Sequence, residues 1–260
     1  MFWFCVFATS QQMHFLKYDV SSQLGLTTNN INDLLIDNKQ FIWVGSENGL
    51  FKFDEKSFIH IPGTKPNEKI LKLNYFDNKL YVLTNLKNIY TIQKNYAQLI
   101  FQKNNIKENI NIEKINDFII SDSKTFYSIE EKIVEIKNRK IKTYNGIIYG
   151  NNTIGLNKNG HWKNSGLNKL DFEILKNETW FNEENCAIKM IESEIGMFFY
   201  KKNKSNEIYQ LKGKALKKHV LPQIVESLAV DKNNQIWVSY IGNTLYKFDE
   251  NFPNFSNTDV

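Results

Sequence analysis

Apolar residues along this chain fall in short runs separated by Asx- and Gly-rich turns, and one arrangement of them occurs twice. The pattern Asp-x-x-(Asn/Gln)-x-Ile-Trp-Val runs from Asp37 to Val44 and again from Asp231 to Val238. In both copies an apolar stretch precedes it (Ile31 to Ile36, Ile224 to Val230), and an aromatic stretch follows (Leu50 to Asp54, Leu245 to Asp249). The copies lie 194 residues apart, five steps of about 39, close to the roughly 40 to 50 residues of a four-stranded propeller blade.

Weaker copies fill the interval. Ile70 to Phe76, the turn Asp77-Asn78-Lys79 and Leu80 to Leu83 repeat the order of apolar strand, polar turn and aromatic strand, with Tyr81 in the place of Trp43. Ile115 to Ile120, a turn at Ser121 to Lys124 and Thr125 to Ile129 give a third copy, with Ile133 to Ile136 completing it. A fourth runs from Lys140 to Trp162, a fifth from about Phe172 to Leu211, and the sixth is the second clear copy. Phe41-Ile42-Trp43-Val44 is apolar on both faces, which suits a strand covered on each side, whereas Phe51-Lys52-Phe53 alternates and suits one wet face. Turns such as Asn48-Gly49 and Asp231 to Asn234 tolerate left-handed backbone. The sequence therefore predicts an all-β fold, a propeller of six four-stranded antiparallel blades or of seven with one incomplete, over residues 11–260. Trp43, Tyr81, Phe126 and Trp237 are its expected blade-core residues.

Composition agrees and narrows the chemistry. The chain has 260 residues, 42% hydrophobic and 14% aromatic, enough for a large core. Its net charge of +5 is spread as isolated Lys, and the densest cluster, Lys212 to Lys218, reads as a solvated strand face. Direct nucleic-acid binding needs a stronger basic footprint. The four histidines, His14, His60, His161 and His219, are dispersed, so neither a metal site nor a cofactor is expected. Glu130-Glu131 and Glu183-Glu184 are adjacent pairs whose members point to opposite faces of a strand. With no Gly-x-Ser-x-Gly elbow and no phosphate loop, the reading is that the chain is not an enzyme. Cys186 reads as an inert thiol.

Residues 1–10 differ from the rest. Phe2 to Ala8 is an apolar run followed by small residues, which reads as a truncated signal peptide lacking its basic start. The run is too short to cross a bilayer, and no other apolar stretch is long enough. A periplasmic or otherwise exported location is expected. Aromatics outside the regular Trp place, His161, Trp162, Trp180 and Phe181, are the candidate ligand-binding residues, because rings with a polar handle suit stacking on sugars. Asn48 and Asn243 are turn residues that could face a central channel.

The segment Leu24-Gly25-Leu26-Thr27-Thr28-Asn29-Asn30-Ile31, with Ile42-Trp43-Val44-Gly45-Ser46 and Asn48-Gly49-Leu50-Phe51, resembles the two-component regulator propeller repeat. The copy from Gln223 to Asp249 is looser, with Ser239-Tyr240 where that repeat has Gly-Thr, and in both copies its usual Gly is replaced near Gln40 and Asn234. The resemblance implies an exported ligand-sensing input domain of a two-component or one-component regulator of the kind found in Bacteroidetes. It implies a carbohydrate or other small ligand, and a kinase or regulator module, or a signalling partner, for output. An exported protein–protein scaffold and, behind it, a propeller lyase or hydrolase are the alternatives. His14 to Tyr18 resembles Phe58 to Ile61, so Met13 to Tyr18 is expected to pair with the blade of Trp237 and Tyr246 and close the ring.

Overall fold

The computed structural model describes residues 15–101, 115–121, 124–129, 132–137, 140–148, 154–158, 161–164, 188–202, 204–242 and 245–248. Among these there is no α-helix; one 3-10 turn, Val20–Ser22, follows the first strand. The strands in chain order are β1 (Phe15–Tyr18), β2 (Ile31–Ile36), β3 (Ile42–Ser46), β4 (Gly49–Phe53), β5 (Phe58–Ile61), β6 (Ile70–Phe76), β7 (Lys79–Thr84), β8 (Ile89–Gln93), β9 (Tyr96–Phe101), β10 (Ile115–Ser121) and β11 (Lys124–Ile129). They continue as β12 (Lys132–Lys137), β13 (Lys140–Ile148), β14 (Ile154–Lys158), β15 (His161–Asn164), β16 (Ile188–Ser193), β17 (Gly196–Lys201), β18 (Glu207–Lys212), β19 (Ala215–Val220), β20 (Val225–Val230), β21 (Ile236–Tyr240) and β22 (Leu245–Phe248).

All pairings are antiparallel and, with one exception, sequential. β2 to β5, β6 to β9 and β16 to β19 each form a four-stranded meander, and β10 to β15 form a six-stranded one. In that wider sheet β13 changes partner at Gly146: Lys140 to Asn145 pair with β12, and Gly146 to Ile148 pair with β14. The third and fourth repeats read from sequence thus share one strand. The exception to sequential order is the last sheet, β1-β22-β21-β20, in which the first strand of the chain completes the final one. Lys17 lies opposite Tyr246, as the sequence led us to expect.

The core consists of layers between sheets. Leu34, Val44, Phe51, Phe53 and Phe58 of the first sheet pack against Ala229, Trp237 and Leu245 of the last. Leu35, Trp43, Leu50 and Ile61 pack against Ile70, Leu73, Leu80, Val82 and Tyr90 of the second. Phe198, Tyr200 and Ile208 pack against Leu228, Ile236, Val238 and Tyr240. The first and last sheets are therefore apolar on both faces at their inner strands, which is why those strands read as continuous apolar runs. Trp43 and Trp237 are 5% and 1% exposed; each faces the sheet that follows it.

The repeated motif has a local cause. Asp231 Oδ1 accepts the backbone N–H groups of Asn233 and Gln235 at 2.9 and 3.0 Å, and its Oδ2 accepts the Trp237 indole N–H at 3.0 Å. One carboxylate thereby caps the turn and anchors the Trp. Asp37 does the same for Lys39, Phe41 and Trp43. Gln40 and Asn234 have φ of 68° and 60°, the left-handed conformation that a Gly would adopt without steric cost.

Candidate functional site

In four sheets the register between the inner strand and its neighbour shifts at the same place, between Ile31 and Asp33, Ile70 and Lys72, Ile115 and Asp117, and Val225 and Ser227. One extra residue, Asn32, Leu71, Asn116 or Glu226, is inserted at each. A bulge interrupts the alternation of side chains and increases local twist, and such insertions re-aim residues where pairing alone would not. Here they bring charged and polar residues of otherwise apolar strands to the axis on which the inner strands converge. Asp33, Lys72, Asp117 and Ser227 are 4%, 8%, 7% and 1% exposed.

These residues satisfy one another. Asp33 accepts from Lys72 Nζ at 3.0 Å, from the Leu73 N–H at 2.9 Å and from the Ser227 hydroxyl at 2.9 Å. Ser227 Oγ in turn accepts the Leu34 N–H at 3.0 Å. Asp117 pairs with Lys189 of β16 and accepts its neighbour Phe118 N–H at 2.9 Å. Lys202, just beyond β17, donates to Glu226 at 2.9 Å and to the Asn32 carbonyl at 2.8 Å. Three cations and three carboxylates therefore tie the inner strands β2, β6, β10, β16 and β20 together around the axis. Isolated charges in such a place would cost several kcal/mol each, so pairing is what permits them.

The electrostatics are uneven. Burial would lower Lys72, but Asp33 and then Asp117 hold it above the usual lysine range. Burial pushes Asp117 up, yet Lys189 and Lys72 together keep it below the ordinary carboxylate value. Burial, with smaller help from the neighbouring Lys72 and Lys202, lowers Lys189 to about 8 against the opposing pull of Asp117. Burial raises the Tyr200 hydroxyl, which stays neutral beside this group.

His161 and Trp162 lie on β15, the last strand of the six-stranded sheet, whereas Trp180 and Phe181 fall outside the described residues, as do Cys186, Asn243 and residues 1–10. Tyr81 occupies the register place of Trp43, opposite Asn74, and is partly exposed; Phe126 holds the same place in β11, opposite Ile119. Asn48 donates its side-chain amide to the Thr27 carbonyl at 3.1 Å. His60 meets the Phe51 ring edge-on at 5.3 Å, and His219 lies 3.2 Å from Gln210 Oε1. Among the described residues no group of three or more His, Cys, Asp or Glu could hold a metal, and no helix is long and apolar enough to cross a membrane. The axial charges were not singled out in the sequence. Their signal was the polar pair inside an apolar run, Asn32-Asp33 and Asn116-Asp117, each directly after an Ile.

Residues 25–48, spanning β2 and β3, match the family described as two component regulator propeller. No curated protein matches the sequence. Among solved structures, the fold is similar to the extracellular domain of a protein described as a hybrid two component system from B. thetaiotaomicron, with a TM-score of 0.56 and 12% identity over 95% of this chain and 44% of that one. A second such extracellular domain from B. thetaiotaomicron gives a TM-score of 0.55 and 13% identity over 91% and 40%. Virginiamycin B lyase from Staphylococcus aureus, in a catalytically inactive form with quinupristin, gives 0.55 and 12% over 92% and 99%. The chain spans less than half the length of the two extracellular domains. At such identities the likeness carries the fold and not the chemistry. The chain is an all-β propeller whose first sheet carries a two-component regulator propeller repeat.

Proposed function

We propose that the chain is the ligand-sensing input propeller of a signalling regulator, exported from the cytoplasm and without catalytic activity of its own. The observation that carries this reading is the repeat match over residues 25–48 within a propeller closed by its own first strand. A kinase or DNA-binding output is supplied by another module or a partner, and the ligand is a carbohydrate or other small molecule. His161, Trp162, Trp180 and Phe181 are proposed contacts for it, since aromatic rings stack on the apolar face of a sugar.

A thermal-shift screen of the whole chain against neutral and acidic mono- and oligosaccharides tests the reading. A ligand at about 100 times its Kd stabilises the native state by about 2.7 kcal/mol, so a bound sugar raises the melting temperature by several degrees. A flat response across the panel, together with a stable protein partner retained in a pull-down, would favour the scaffold reading instead.

A further inference from the structure

The geometry points to a ligand site at the end of the axis where the inner strands begin, built from Asn32, Leu71, Lys202 and Glu226 and taking a ligand with adjacent hydroxyl groups. The inference rests on the sensing role proposed above and places the ligand at the axis rather than at His161, Trp162, Trp180 and Phe181. Asn32, Leu71 and Glu226 are the extra residues of three bulges, and each stands one residue nearer that end than Asp33, Lys72 and Ser227. The buried layer of Asp33, Lys72, Asp117 and Lys189 forms a floor beneath them. In its ion pairs the side chains are 6 to 10% exposed, whereas those of Lys202 and Glu226 are 15% and 12% exposed. Asn32 and Leu71 are also partly exposed. The upper layer is thus the more open of the two.

The upper layer has the chemistry of diol recognition. A hydroxyl both donates and accepts, so a pair of neighbouring hydroxyls needs a donor and an acceptor side by side. Lys202 and Glu226 provide them 2.9 Å apart. Two of the three ammonium protons are directed at Glu226 and at the Asn32 carbonyl, which leaves a third for a ligand. The same two bonds fix the Lys202 side chain before binding, so little ordering is required of it. The Asn32 amide is held by the Ile70 carbonyl at 2.8 Å, and Leu71 offers an apolar surface to the C–H face of a ring.

Titration calorimetry on the full chain tests the site, with glucose, galactose, arabinose and xylose as probes, each as the free sugar and as a β-linked trisaccharide. The two forms distinguish a free monosaccharide from the end of a glycan as the ligand. The double variant Lys202→Met with Glu226→Gln removes both charges together, so neither is left buried alone. It should weaken the tightest probe by about tenfold or more, the scale of lost charged hydrogen bonds. Asn32→Ala and Leu71→Ser, at partly exposed positions, should weaken it by about threefold or more and carry the test should the double variant not fold. Wild-type binding that these variants leave unchanged, and that Trp162→Ala abolishes, overturns the axial site while sensing stands. Failure of the wild-type chain to bind any probe overturns the sensing reading, and the site with it.

Discussion

The ring of Tyr18 stacks on that of Trp237, with centroids 5.3 Å apart and planes 28° from parallel. Tyr18 belongs by hydrogen bonding to the last sheet, yet it also meets Phe53 and Phe58 of the first sheet edge-on at 5.4 and 6.0 Å. One side chain of the closing strand therefore spans the seam where the propeller meets itself. Closure of this kind removes an open edge that would otherwise template pairing with another chain. Tyr18→Ala should destabilise the fold by about 2 to 3 kcal/mol, from lost burial and ring contacts. Tyr18→Phe should be nearly neutral. Urea unfolding followed by tryptophan emission measures both, and a neutral Tyr18→Ala would show that the seam does not depend on this strand.

The Asp of the repeated motif makes three bonds in each copy, so its removal should cost more than a surface turn residue. Asp37→Ala leaves the Trp43 indole N–H and two backbone N–H groups without their acceptor, and a loss of about 2 to 4 kcal/mol is expected at hydrogen-bond values for charged groups. Asp37→Asn retains an oxygen for the turn and should lose less. Equilibrium unfolding of the two variants, compared with Asp231→Ala and Asp231→Asn, checks that the copies behave alike.

Left-handed backbone at Asn234 makes an opposite prediction. Its φ of 60° carries a steric penalty that Gly lacks, although Asn tolerates this region better than most residues. Asn234→Gly should be neutral to stabilising by up to about 1 kcal/mol, and Asn234→Val should destabilise by at least as much. Gln40→Gly should gain less, because Gln40 Oε1 accepts the Lys232 N–H at 2.8 Å and that link between turns would be lost. Melting temperatures of the three variants rank the effects.

Much of this framework was legible in the sequence because it rests on local patterns. The Asp-to-Trp spacing fixes a turn and a strand within one motif, and the likeness of His14 to Tyr18 with Phe58 to Ile61 pointed to the closing strand. The axial charges were not legible for a physical reason. Asp33, Lys72, Asp117 and Lys189 hold related places in successive inner strands but differ in sign, so similarity between repeats conceals them. Their partners lie 39 and 72 residues away, and an isolated charge beside apolar residues reads as an exposed face. The shared strand β13 was missed because a change of partner at Gly146 leaves no break in hydrophobic pattern.

Pairing at the axis should be visible as coupling between mutations. Lys72→Met leaves Asp33 buried without its cation and should cost about 3 to 5 kcal/mol, whereas Lys72→Met with Asp33→Asn should recover much of that loss. A double-mutant cycle by chemical denaturation measures the difference. Additive single effects would show that the two residues do not act as a pair.

Lys189 should impose a pH dependence of its own. Its folded value of about 8 lies below the ordinary 10.5, so between those values the unfolded chain holds a proton that the folded one has released. Stability from this group therefore rises with pH across that window and is lowest below it. The difference in unfolding free energy between the wild type and Lys189→Met should grow in favour of the wild type from about pH 8 to pH 10. A constant difference would mean that Lys189 keeps its proton throughout.

Hydrogen exchange of the whole chain, with and without a saturating sugar from the calorimetric panel, tests the central claim of a sensing propeller with an axial site most directly. Added protection is predicted in peptides covering residues 30–34, 69–73 and 224–228, where the bulged inner strands begin. Protection confined to residues 161–164, or none at any sugar concentration, would contradict it.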